Sequence, residues 1–186
     1  MQALQGVQKC QHWMLLDGRF PGILTGKEKP ANAAEQLEFA QLCFWKTHYV
    51  AAARFCQEAF AAEPKLAENA PSGIRYLAAS AAALAGCGQG KDADHRDDKE
   101  RVGWRKQAHD WLRQELTWWG KALGNGNAQT NAWVQQRLRH LQADVSLDGV
   151  RAKDALARLP DEERMLWQRL WSDVDALLKK ADGKSK

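Results

Sequence analysis

His95-Arg96-Asp97-Asp98-Lys99 has the form of the start of a kinase catalytic loop, in which an Asp accepts the proton of a substrate hydroxyl and an Asn five residues on holds magnesium. Here that fifth position is Val102, and the chain has no Gly-rich phosphate loop, strand lysine or Asp-Phe-Gly triplet. The string reads as a chance match in a charged connector, and no kinase activity is expected. Cys43, His48 and Cys56 fall within fourteen positions and are the residue types of a zinc site. Zinc ligands come in close pairs, however, and neither a Cys-x-x-Cys nor a histidine pair four apart occurs. Cys10 and His12, two apart, point to different faces of a helix. His109 and His140 stand alone and read as solvated or singly hydrogen-bonded. The glycines of Gly86–Gly90 and Gly124–Gly126 lack the strand-before-helix setting of a phosphate cradle. No catalytic, metal-binding or cofactor-binding residue is picked out, and no cofactor is expected.

Nine tryptophans raise a different chemistry, because aromatic faces stack on bases or line peptide grooves. Most of them fall at helical spacing on faces already apolar, which reads as core packing. Trp118 and Trp119 are adjacent and cannot face one direction on a helix, so one of the two is expected at the surface as a candidate partner contact. Arg137, Arg139, His140, Arg151 and Lys153 form a modest basic cluster, and Lys179–Lys186 is a basic tail. A net charge of +4 with interspersed acids gives no segregated phosphate-binding surface, so no nucleic-acid partner is expected. No apolar run approaches the roughly 20 residues of a membrane span. Met1–Asp17 also lacks a leader pattern, and a cytoplasmic protein is expected. Four scattered cysteines suit reduced, buried thiols.

Strand signals are nearly absent over the 186 residues, and the fold class predicted is all-α, with about six to seven helices. A first helix is predicted over 2–16, followed by a Gly/Pro loop, 17–30, as the best linker candidate. Helices follow over 33–46, 49–62 and 73–85, the second ended by Pro64 and the third by Gly86, Gly88 and Gly90. Asp97 or Asp98 caps a long helix to about Leu123, with Trp104, Ala108, Trp111, Leu112, Trp119 and Leu123 on one stripe. Another helix spans about 128–142. The last, from Pro160 to about Ala181, presents Met165, Leu166, Leu170, Val174, Leu177 and Leu178. The chain divides into an N-terminal helix and linker (1–30), a small-residue helical region (31–90) and a Trp-rich helical region (91–186) packed on it as one unit.

Small residues then fix the reading of the middle region. Ala40, Ala52, Ala59 and Pro64 are separated by twelve, seven and five residues, and Pro30 lies 34 residues before Pro64. That spacing resembles the packing positions and closing proline of a tetratricopeptide unit, although Gln36 stands in place of its Trp, Cys43 of its Tyr and Cys56 of an aromatic. Longer stretches carry a further likeness: "YVAAARFCQEAFAAEPKL" (49–66), "RYLAASAAALAGCGQ" (75–89), "RKQAHDWLRQEL" (105–116) and "LARLPDEERMLWQRLWSDVDALLKKA" (156–181). Together they resemble a region that follows serine/threonine kinase domains, or stands in tetratricopeptide-repeat proteins, of planctomycete-type bacteria. The chain departs from it at Leu77, where an Asn is usual, at Ser80, where a Cys is usual, and in the turn Phe44–Thr47.

The resemblance implies a helical accessory segment without an activity of its own, whose partner is a kinase domain in the same or another chain, or that kinase's target. From shape alone, a tetratricopeptide-like stack presents a concave surface to an extended peptide or a partner helix. Ala40, Ala52 and Ala59 would pack closely, Pro64 would end a turn, and Tyr76, Trp111 and Trp171 would anchor the core. The alternative is a small helical enzyme or ligand-binding protein, which would require two of the scattered His and acidic groups to converge in a pocket.

Overall fold

The computed structural model describes residues 2–68, 73–93, 97–125 and 127–184. Among them every regular element is helical: α1 (Gln2–Leu24), α2 (Ala33–Trp45), α3 (Tyr49–Ala62), α4 (Lys65–Glu68), α5 (Ile74–Gly86), α6 (Asp98–Asn125), α7 (Ala128–Ala143), the 3-10 helix η1 (Val145–Val150), α8 (Lys153–Leu156) and α9 (Asp161–Lys184). Seven of these have thirteen residues or more. The single-turn α4 and α8 and the short η1 carry too few residues for a period to show in the sequence.

Local chemistry sets most ends. The Asn32 side chain accepts from Glu35 N at the start of α2, Asn127 from Thr130 N at the start of α7, and Asp97 from Glu100 N at the start of α6. α1 is longer than the sequence predicts, continuing through Pro21 to Leu24. Proline removes a helical donor, yet Leu16, Phe20 and Ile23 recur at four and three residues and are all buried, and their packing outweighs the missing bond. Residues 17–24 are therefore helix, and the loop shrinks to 25–32.

α2 and α3 form a hairpin through Lys46–His48, with Thr47 in the left-handed region (φ 65°) and His48 N donating to Cys43 O at 2.8 Å. Ala40, Ala52 and Ala59 are all fully buried in this hairpin, and exposed Pro64 follows the end of α3. α5 is the central element. It packs on α2 and α3 from one side and on α6 and η1 from the other. Eleven of its thirteen residues are buried, as a helix without a polar face must be. Alanine makes this possible by letting backbones approach on all sides, and Gly86 takes it furthest. A Cβ there would lie 2.8 Å from Arg105 N and 2.9 Å from Arg101 O.

α6 spans 28 residues and carries the C-terminal half, where α7 and α9 pack against it and each other. Its buried stripe is Ala108, Trp111, Leu112, Leu116, Trp119 and Leu123, with Trp104 half-buried. Arg105 and Glu115 are buried on the same helix, although neither belongs to the apolar pattern. On α9 the inward face is Trp167, Leu170, Val174 and Ala181. Met165 and Leu166, predicted on that face, are exposed instead, because Trp167 sets the register of the first turns.

Candidate functional site

Residues that could act together meet on one face of α5. Tyr76, Leu77, Ser80 and Leu84, at spacings of one, three and four, floor a cleft of about 610 Å³. One wall is Phe44 and Tyr49 from the α2–α3 hairpin, whose rings lie 5.4 Å apart. The opposite wall is His140 and Asp144 at the end of α7 with Val145 and Ser146 of η1. The volume falls in the range of pockets that hold small ligands or side chains, and such sites combine apolar walls with a few placed polar groups.

The polar groups are organised by Asp144. Its Oδ1 accepts from Ser146 N at 2.9 Å, capping η1, and its Oδ2 accepts from the Tyr76 hydroxyl at 2.5 Å. His140 Nε2 stands 3.8 Å from the same oxygen, and its ring tilts against that of Tyr76 at 5.6 Å. Burial opposes ionisation of Asp144, but the bonds from Tyr76 and from the Ser146 backbone outweigh it and hold the carboxyl below its usual range. Burial, then the bond to Asp144, pushes the Tyr76 phenol far up, so it remains a hydroxyl donor. At the floor, Ser80 is 2% exposed, and its hydroxyl neighbours the Tyr76 phenol as that of Ser146 neighbours the Asp144 carboxylate.

Tyr76 and His140 apart, the candidate contact, core and metal-type residues singled out from sequence lie elsewhere. Trp119 is 2% exposed in the core and offers no surface to a partner, because the α6 stripe turns it inward. Trp118 is half-buried, edge-on to Trp133 at 5.7 Å, and borders a shallow depression with Arg113, Thr117 and Lys121. Trp111 is buried, whereas Trp171 is half-buried and donates Nε1 to Val150 O at 2.7 Å. Cys43 and Cys56 are buried, and burial pushes the Cys43 thiol up to about 12. His48 packs edge-on to Phe20. Among the described residues no group of three or more His, Cys, Asp or Glu is placed to hold a metal, and no helix is long and apolar enough to cross a membrane. Of the kinase-like string, His95 and Arg96 lie outside the described residues, while Asp97 caps α6. The basic cluster is partly tied up: Arg139 pairs with Asp182, Arg151 with Asp148, and Arg137 lies over Trp133.

Sequence reasoning placed Tyr76 in the core and His140 alone, and it missed Asp144 and Ser146. The available signal was Tyr76 and Ser80 as the hydroxyl-bearing interruptions of an alanine-rich helix. Comparison with protein-family models, with curated proteins and with solved structures found no match to this chain.

Proposed function

We propose that the chain is a non-catalytic protein-interaction module that receives an extended, largely apolar peptide segment in the cleft on α5. One observation carries this reading: aromatic and aliphatic walls enclose a small polar floor, the Tyr76–Asp144 pair with the Ser80 and Ser146 hydroxyls beside it. Apolar side chains of the segment fill the space between Phe44, Tyr49, Leu77 and Leu84, and its polar groups meet the His140–Asp144 edge. Hairpin α2–α3 and α5 serve as the tetratricopeptide-like part of the stack, and fully buried Ala40, Ala52 and Ala59 keep it rigid, which lowers the ordering cost of binding. The sequence likeness makes a bacterial serine/threonine kinase, or its target, the proposed source of the segment. Leu77, Ser80 and Phe44, where the chain departs from the similar region, all line the cleft and would set its own selectivity.

Convergence of Tyr76, His140 and Asp144 favours one second reading, a small-ligand site in the same cleft. To separate the two, purified chain and its Leu77→Asp variant serve as paired baits in lysate of the source organism, with mass spectrometry of retained material. The expected result is one defined protein held by the wild type and lost by the variant. Equal retention by both baits, or a small molecule copurifying with no protein, contradicts the interaction reading.

A further inference from the structure

A second cleft, of about 600 Å³, opens where the end of α5 meets the first turns of α6 and the segment before α9. Among the described residues its lining includes three guanidinium side chains, Arg101, Arg105 and Arg158, against the single carboxylate of Asp98. Arg105 is already engaged. It donates from Nη1 to Gly86 O at 2.6 Å and makes a two-point bond to Glu163, at 2.5 and 3.0 Å. That fork fixes one edge of the cleft and joins α6 to α9.

Arg101 and Arg158 differ from it, because neither forms a salt bridge among the described residues. Arg101 Nε is moreover buried, with no hydrogen-bond partner among the described residues. Two guanidinium groups with no carboxylate partner among the described residues leave the cleft able to take an oxyanion. Gly88 lets the side chain lie there: a Cβ at this left-handed position (φ 73°) would stand 3.3 Å from the Arg101 guanidinium carbon. Among the described residues, Asp98 and Glu163 against the three arginines leave one positive charge in excess. Burial pushes the neighbouring Cys87 thiol up to about 11, so it adds no opposing charge near neutral pH.

We infer that this cleft binds a small phosphate monoester, its phosphate held between Arg101 and Arg158 and its organic part lying over Val102 and Leu159. Planar guanidinium forks match phosphate oxygens in two-point geometry, and the volume exceeds what a phosphate alone would fill.

Isothermal titration of the full chain with ribose 5-phosphate, and with ribose as the uncharged counterpart, tests the site. Ribose 5-phosphate should bind and ribose should not. Arg101→Gln and Arg158→Gln should each weaken binding by about tenfold or more, as expected for loss of a charge-assisted two-point contact. Arg139→Gln, a change at an exposed arginine on α7, should leave it unaltered. Arg158 is exposed, so its variant keeps the test meaningful if Arg101→Gln fails to fold. Absence of binding at millimolar ribose 5-phosphate, equal binding by wild type and Arg158→Gln, or binding of a phosphoserine peptide without ribose 5-phosphate would overturn the assignment.

Discussion

Removing Glu115 from the interface of α5 and α6 should destabilise the protein far more than removing the whole ion pair it belongs to. Arg75 Nε donates to Glu115 Oε1 at 3.0 Å, and the two side chains are 7% and 2% exposed. Arg75 Nη2 has no partner among the described residues, and one bond, from Nε, joins the pair. Burial raises the Glu115 carboxyl above its ordinary 4.5 despite the opposing pull of Arg75, which means that desolvation exceeds the attraction. Glu115→Ala would leave a buried guanidinium uncompensated and should cost about 3–5 kcal/mol, a large share of the roughly 5–15 kcal/mol typical of a domain. Arg75→Met with Glu115→Leu fills similar volume without charge and should be neutral or stabilising.

The pH dependence has a defined sign. A raised carboxyl pKa means that the folded state holds the proton more tightly, so this group's contribution to stability falls as pH rises from about 4.5 through the raised value. The double variant should lose that slope. Urea unfolding followed by tryptophan fluorescence across this range measures both effects. A cost below about 1 kcal/mol for Glu115→Ala would place the pair with exposed ion pairs and refute the reasoning. So would a double variant as unstable as the sum of its single changes.

Three further outcomes follow from the packing and the cleft. Gly86→Ala would press a methyl against the backbone of α6 at 2.8–2.9 Å, which only a helix shift relieves, and should cost about 1–3 kcal/mol by thermal or urea unfolding. Ala52→Leu and Ala59→Leu, both at fully buried positions, should overpack the α2–α3 hairpin at a similar cost of about 1–3 kcal/mol, and unchanged melting of both would contradict the close packing assigned to them. Tyr76→Phe removes the donor to Asp144 and should cost about 1.5–3 kcal/mol at neutral pH. Because that bond helps hold the Asp144 pKa below 3.8, its contribution is present above 3.8 and lost as pH falls through the lowered value, so wild type and Tyr76→Phe should converge in stability under acid.

Much of the helical order was legible because it is written locally. Asp97 and Pro160 mark helix starts, and the α6 stripe repeats with the helical period. Pro21 misled because its effect is set by packing of Phe20 and Ile23 against distant residues, which no local rule contains. Glu115 and Arg105 were invisible for the same reason, since a charged residue on an apolar stripe shows its partner only when the helices are assembled. The cleft was least legible. Tyr76 and Asp144 are 68 residues apart, and they meet only through the return of α7 and η1 onto α5.

Selection of displayed peptides on the purified chain tests the central claim most directly, with Leu77→Asp protein as the counter-selected control. The account predicts enrichment of extended peptides with apolar side chains, bound by the wild type and released by Leu77→Asp and by Ser80→Val. No enrichment, or enriched peptides that bind wild type and Leu77→Asp equally well, would contradict the assignment of the α5 cleft as the binding surface.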